Sequence, residues 1–183
     1  MDQARETASR NREWTWVRGG VLLAFVGVAM VWGMGHWSAE ARVRRATARV
    51  VALVEKTEAE SAVSLGLAAN RLGGQLEPGA SLEVEGYGAL VSSRQEIVQL
   101  FAQIRDSLAT LTIAGPTIDV ARIGRDEVEA RVAGRYRLAT GAGEVAEGDG
   151  AAKLMWIRGE EGWRISRVAL RLAEGDRLLR ELK

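Results

Sequence analysis

With 183 residues, 47% of them apolar, the chain has room for one domain of ordinary size plus an appendage. Lys and Arg (25) nearly cancel Asp and Glu (24), leaving a formal charge of +1, so no bulk field draws polyanions and nucleic acid is not an expected partner. The absence of cysteine excludes disulfides, thiolate nucleophiles and thiolate-held metals.

Residues 1–18 form a short N-terminal tail ahead of the apolar run 19–39, which holds no formally charged side chain between Arg18 and Glu40. As a helix that run reaches about 30 Å, the thickness of a bilayer's hydrocarbon, and it predicts a single transmembrane helix. Trp14, Trp16, Trp32 and Trp37 stand near its two ends, where indoles suit the headgroup region. The competing reading is a cleaved signal peptide, since Ala39-Glu40-Ala41 has the small-x-small form of a cleavage site; the length of the run and its bracketing tryptophans favour the anchor. Four arginines precede the span (5, 10, 12, 18) and four follow it (42, 44, 45, 49), so charge leaves the orientation tied. A short tail with one signal anchor favours an exported C-terminal domain, which places the protein in a bacterial inner membrane with that domain in the periplasm. Gly20, Ala24, Gly27 and Val31 give the span one stripe of mainly small side chains, a candidate surface for packing against another helix. His36, between small neighbours at the membrane edge, is the one metal-ligand candidate, for the metal of a tetrapyrrole; an interfacial histidine beside Trp37 is the favoured reading.

From residue 38 to Gly74 the pattern reads as one long or two abutting helices, with Val43, Ala46, Val50, Leu53 and Val54 at three- and four-residue spacing and Gly73-Gly74 as the stop. Leu82, Val84 and Tyr87 predict a strand that turns at Gly86 and Gly88. A second helix starts at Ser93, where Ser93 and Glu96 form an S-x-x-E capping box. Its buried face is marked by Ile97, Leu100, Phe101, Ile104 and Leu108. Beyond Leu111 the period becomes two, predicting four strands at 117–123, 126–139, 151–159 and 162–172, with 140–150 as a long polar loop. On the longest strand Val128, Ala130, Val132, Gly134, Tyr136 and Leu138 face one side, and Glu127, Glu129, Arg131, Arg135 and Arg137 the other. Residues 172–183 predict a short amphipathic C-terminal segment.

The stretch from Leu76 to Phe101, with Pro78, Ala80, Leu82, Val84, Gly86, Arg94, Ile97 and Phe101 at the matching places, resembles the middle of the nuclear transport factor 2-like (SnoaL-like, ketosteroid isomerase-like) superfamily. Gly162-Trp163-Arg164-Ile165 resembles the "G-W-x-I" of that family's closing strand. The resemblance covers roughly residues 40–171 and implies an α+β domain in which helices pack on a curved, mostly antiparallel sheet to enclose an apolar cone. It also implies where chemistry would sit. In the isomerase branch a tyrosine on the first helix and an aspartate after the first strand act on the substrate, and their approximate counterparts here are Val50 and Val84. The dehydratase branch uses histidine, and His36 lies at the membrane end. Glu85, Tyr87, Asp119 and Tyr136 are the remaining acid-base candidates, with Glu85 expected to face solvent on strand alternation.

No catalytic residue is therefore assigned, and no cofactor is expected. The cone's ligand-pocket candidates are Tyr136, Trp156 and Trp163. Arg131, Arg135, Arg137 and Arg164 on the sheet's polar side are candidates for docking a partner or a second copy of the chain, beside the alternative of plain cross-strand charge pairing. The leading expectation is a non-catalytic interaction or assembly subunit of a bacterial membrane complex, an architecture analogous to the bitopic assembly factor of type IV secretion. The alternatives are a membrane-tethered enzyme or binding protein for a small apolar molecule, a passive lipid-binding module, and a pigment- or haem-associated subunit through His36.

Overall fold

The computed structural model describes residues 38–172. The chain parts into two compact units, Met1–Ala41 and Arg42–Lys183. The expected span, its small-residue stripe of Gly20, Ala24, Gly27 and Val31, His36, and the C-terminal segment lie outside the described residues, apart from Ser38 and Ala39 at one end and Leu172 at the other. Among the described residues no helix is long and apolar enough to cross a membrane.

Three helices and six strands follow in the order α1 (Ala39–Val54), α2 (Ala62–Gly73), β1 (Leu76–Val84), β2 (Gly88–Val91), α3 (Arg94–Ser107), β3 (Leu108–Arg122), β4 (Glu127–Thr140), β5 (Val145–Gly159) and β6 (Gly162–Leu172). The helical stretch before Gly74 is thus two helices, because Lys56 leaves the helix to pair with Leu111 as an isolated bridge. In α1 the side chains of Val43, Ala46, Thr47 and Val50 recur at helical spacing and are buried, the stripe that drives an amphipathic helix onto a sheet. Helix α2 starts at Ser61, whose hydroxyl accepts from Ser64 N at 3.2 Å, and stops at Gly74, whose N–H reaches Asn70 O at 3.0 Å. At α3 the Ser93 hydroxyl accepts from Glu96 N at 3.3 Å as the capping box requires. The return bond differs by one residue: Glu96 Oε2 accepts from Ser92 N at 3.1 Å.

The strands form one mixed sheet, ordered β2-β1-β6-β5-β4-β3, in which β1 and β6 are parallel and every other pair is antiparallel. One row of side chains crosses four strands: Val128 opposite Trp156, Trp156 opposite Ile165, and Ile165 opposite Leu76. All four are at most 1% exposed, and they form the deepest part of the core. Register breaks between Ala114 and Thr117 and between Met155 and Trp156 add residues to one strand only, which bends a sheet and increases its twist.

Six strands stand where five were expected, and the differences have physical causes. Tyr87 lies in the turn between β1 and β2, 46% exposed, with Gly86 (φ 88°) and Gly88 (φ 78°) supplying the backbone conformation that a side chain disfavours. β3 begins at Leu108 because its Gly115-Pro116 pair makes a bulge inside a continuous strand. Most of the expected loop 140–150 is strand, since β5 begins at Val145. Its glycines make room: Gly148 lies opposite Tyr136, and a Cβ there would stand 2.9 Å from the tyrosine Oη.

At Gly134, opposite the β3 bulge, a Cβ would lie 3.0 Å from Ile113 Cγ2 and 3.3 Å from the Ala114 carbonyl oxygen, whereas at Gly79 nothing lies within 4 Å. Gly134→Ala should therefore cost about 1–3 kcal/mol by overpacking, while Gly79→Ala should be neutral or stabilise by about 0.5 kcal/mol. Urea unfolding midpoints of the two variants check the contrast, which disappears if the Gly134 region yields freely.

Candidate functional site: an apolar cone with one engaged charge

The helices and the sheet enclose a cavity of about 310 Å³. Twenty side chains line it, and eighteen are aliphatic; the other two are Phe101 and Arg105. Helix α3 supplies Ile97, Leu100 and Ile104, the apolar face legible in its spacing, and the sheet supplies inward residues of its alternating strands such as Val132, Leu154 and Val168. Along its wall exposure runs from Leu76 and Ile165, at 1% and 0%, to Ile104, at 40%.

Arg105 is the one charged group on the wall, and its five N–H donors are all engaged. Nε and Nη2 form a fork on the Glu60 carboxylate at 2.6 and 2.7 Å. Nη1 donates to the carbonyls of Leu53 and Val54 at 2.8 and 3.0 Å, and Nη2 to that of Glu55 at 2.9 Å. Those three carbonyls end α1, where a helix has acceptors without intrahelical partners and a negative dipole end. The guanidinium lies over Phe101, its carbon 5.6 Å from the ring centroid. Lys56 repays the arrangement in reverse: its Nζ donates to the carbonyls of Arg105 and Leu108, at 2.8 and 2.6 Å, at the end of α3. Both cations are 7% exposed. The Arg105 fork holds the Glu60 carboxyl below the usual carboxylate range, outweighing the burial that would raise it, and the Arg105 and Lys56 charges add to the lowering. Sequence periodicity missed this cluster, because Arg105 follows Ile104 on a face read as apolar and Lys56 and Glu60 lie in a polar stretch.

The acid-base candidates are not brought together. Glu85 is exposed and pairs with Arg171 at 3.3 Å, Asp119 lies on the outer face opposite Arg131, and Tyr87 sits in its turn. Val50 lines the cavity, and Val84 is 5% exposed without lining it. Tyr136, Trp156 and Trp163 are not among the lining residues. Tyr136 covers Gly148, Trp156 is fully buried in the four-strand row, and Trp163 stands opposite Arg158 near the β5–β6 hairpin. Neither Trp156 Nε1 nor the equally buried Thr47 Oγ1 has a hydrogen-bond partner. Among the described residues no group of three His, Cys, Asp or Glu side chains is placed to hold a metal ion.

On the outer face of the sheet the basic side chains are largely paired within the chain. Arg131 and Lys153 both reach Glu129, at 2.6 and 3.6 Å, Arg135 reaches Glu147 at 3.5 Å and Arg167 reaches Glu83 at 3.3 Å. Glu129 is only 7% exposed, against the solvated place its strand alternation implies. Arg164 is drawn aside to the Gly74 carbonyl at 3.1 Å and to Glu161, while Arg137 is exposed.

This arrangement of helices on a curved sheet is also found in solved proteins. An NTF2-like protein with a cystatin-like fold from Novosphingobium aromaticivorans superposes with a TM-score of 0.54 at 18% identity, covering 86% of this chain and 95% of its own. The chain has the nuclear transport factor 2-like fold. Two further structures with this fold are a Xanthomonas campestris protein provisionally named a calcium/calmodulin-dependent protein kinase II association domain and an N. aromaticivorans protein provisionally named a scytalone dehydratase. Each has a TM-score of 0.54 at 12% identity; the first covers 73% of this chain and 87% of its own, the second 70% and 83%. No family model matches the sequence, and no curated protein matches it. Likeness at these identities establishes the fold alone.

In this nuclear transport factor 2-like cone, Arg105→Lys should cost about 3 kcal/mol or more, because a point charge cannot replace a fork that serves a carboxylate and three carbonyls at once. Calorimetric melting of the variant checks it. Glu60 ionises more readily folded than unfolded, so its charge stabilises the fold above the ordinary carboxylate range, and that increment is lost as pH falls through its lowered folded value. The wild type should exceed Glu60→Gln by about 1–2 kcal/mol at neutral pH, the lower part of the range for charged hydrogen bonds because the carboxylate is partly solvated. The gap should close as pH falls through that lowered value; a gap independent of pH in urea titrations contradicts the assignment.

Proposed function

We propose that this chain is a non-catalytic, single-pass membrane-anchored interaction and assembly subunit of a bacterial membrane complex, with its nuclear transport factor 2-like domain on the periplasmic side. The observation that carries the non-catalytic part is the state of Arg105. It is the only ionisable group on the cavity wall, and a proton-transferring site needs a donor or acceptor within hydrogen-bond reach of a substrate. With five donors committed, Arg105 has none to offer. The anchor reading rests on the uncharged run 19–39 and its flanking tryptophans. Assembly draws support from the exposed, charge-patterned outer face around Arg131, Arg135 and Arg137, where planar guanidiniums suit protein interfaces. The provisional name of the X. campestris structure, an association domain, points the same way.

The reading as a tethered binding protein is favoured by a separate observation, the open apolar cavity itself. A tethered enzyme draws on the provisional dehydratase name of a fold relative, a likeness of 12% identity.

Purification of the full chain from membranes in mild detergent, followed by identification of co-eluting proteins, tests the assembly reading. A stoichiometric envelope partner that is lost in an Arg131→Glu, Arg135→Glu double variant is the expected result. A chain that elutes alone under every extraction condition, or that elutes in the soluble fraction, overturns it.

A further inference from the structure

We propose that the cone binds an unbranched aliphatic chain tail-first, with any polar head group left outside the mouth at Ile104. The inference goes beyond the assembly reading and does not require it. Three observations lead to this ligand class. The first is the chemistry of the wall, eighteen aliphatic side chains and a single aromatic one, with no donor left on the single cation. A hydroxyl, carbonyl or carboxylate carried inside would lose water and gain no partner. A keto substrate of the kind the isomerase branch binds would meet Val50 where that branch has a phenol, and Val50 is on the wall.

The second is size. At roughly 30 Å³ for each water-sized group, about 310 Å³ takes about ten non-hydrogen atoms. A fused four-ring skeleton is too large, and one alkyl tail of about ten carbons fits. The third is the gradient of exposure along the wall, from Leu76 and Ile165 at 1% and 0% to Ile104 at 40%, which suits a slender group whose inner part is covered while its other end stays in solvent past Ile104. A free medium-chain amphiphile and the tail of a bilayer lipid share this chemistry.

The test uses the full chain in a fluorinated surfactant, whose tails mix poorly with hydrocarbon, titrated calorimetrically with straight-chain alcohols from hexanol to hexadecanol. Affinity should rise about fourfold per methylene, the increment for burying one such group, and level off near ten carbons as further methylenes stay outside. Moving a hydroxyl to mid-chain, as in 5-hydroxydecanoate against decanoate, should weaken binding by about tenfold or more. Ala152 is the smallest lining side chain, and Ala152→Phe should fill the hole, abolishing binding while the melting temperature stays level or rises. If that variant does not fold, Val54→Phe fills the same space from α1. Phospholipid carried from phosphatidylcholine vesicles and uptake of free decanoate both support the proposal and distinguish its sources. No saturable binding of any chain, unchanged binding in the filled variants, affinity that climbs without a plateau, or preference for a polycyclic ketone overturns it. A ligand that binds as described but is recovered chemically altered leaves this inference standing and removes the non-catalytic function instead.

Discussion

Two buried cations exchange places at the helix ends, and the rest of the domain is arranged around that exchange. Arg105 of α3 closes the last carbonyls of α1, and Lys56, just past α1, closes the last carbonyls of α3. The chain needs both caps because of how abruptly its elements change. α3 passes into β3 with no intervening loop, and α1 passes within two residues into a bridge with the same strand, through the Lys56–Leu111 pair at 2.8 and 2.7 Å. Without a capping donor, buried carbonyls at these joints would each lack a partner, at a cost of about 1–3 kcal/mol. The same bridge covers the start of β3, an edge strand of the sheet, and the Glu55 carboxylate takes the Ile113 N–H beside it at 3.0 Å.

That arrangement has a consequence for the cone. A charged side chain on an apolar wall usually marks a place where a ligand is held or a proton moved. Here the charge faces away from the hollow and into the scaffold, bonded to a carboxylate and three backbone oxygens. The cone is consequently a space whose shape is maintained by ionic and hydrogen-bonded contacts behind its wall while the space itself remains hydrocarbon. The fold is shared with structures provisionally named for dehydration and for association, so architecture cannot distinguish the two. Of the twenty side chains that line this chain's cone, eighteen are aliphatic.

Much of the fold was legible because it rests on local pattern. The Ser93 cap and the Val128-to-Leu138 face of β4 follow from spacing alone, and the structure bears them out; on α3 Ile97 is buried as its spacing predicts, whereas Ile104 is 40% exposed and Leu108 opens β3. The glycines misled, because Gly148 and Gly150 look like loop residues in a linear reading, yet Gly148 is a strand position emptied to seat Tyr136 from the next strand. The strand expected at 117–123 begins at Leu108 and carries a bulge at Gly115-Pro116. The pocket was placed at its aromatic residues, Tyr136, Trp156 and Trp163, whereas the wall is aliphatic and the aromatics pack behind or beyond it. Bulky aromatics are drawn to positions where contact is complete, as Trp156 is at 0% exposed, and that disfavours lining an open space.

What the sequence determined by itself was the order of helix and strand, the inward face of each, and the absence of histidine or cysteine beyond residue 36, because periodicity and composition are properties of the chain alone. The tertiary structure alone decided that Arg105, Lys56 and Glu60, up to 49 residues apart, form one cluster. Likewise, only the assembled sheet put Glu129 out of solvent. A hydrogen bond between distant residues leaves no periodic mark, since its partners are chosen by where the elements come to rest, and whether a cation is available for chemistry depends on donors counted in space.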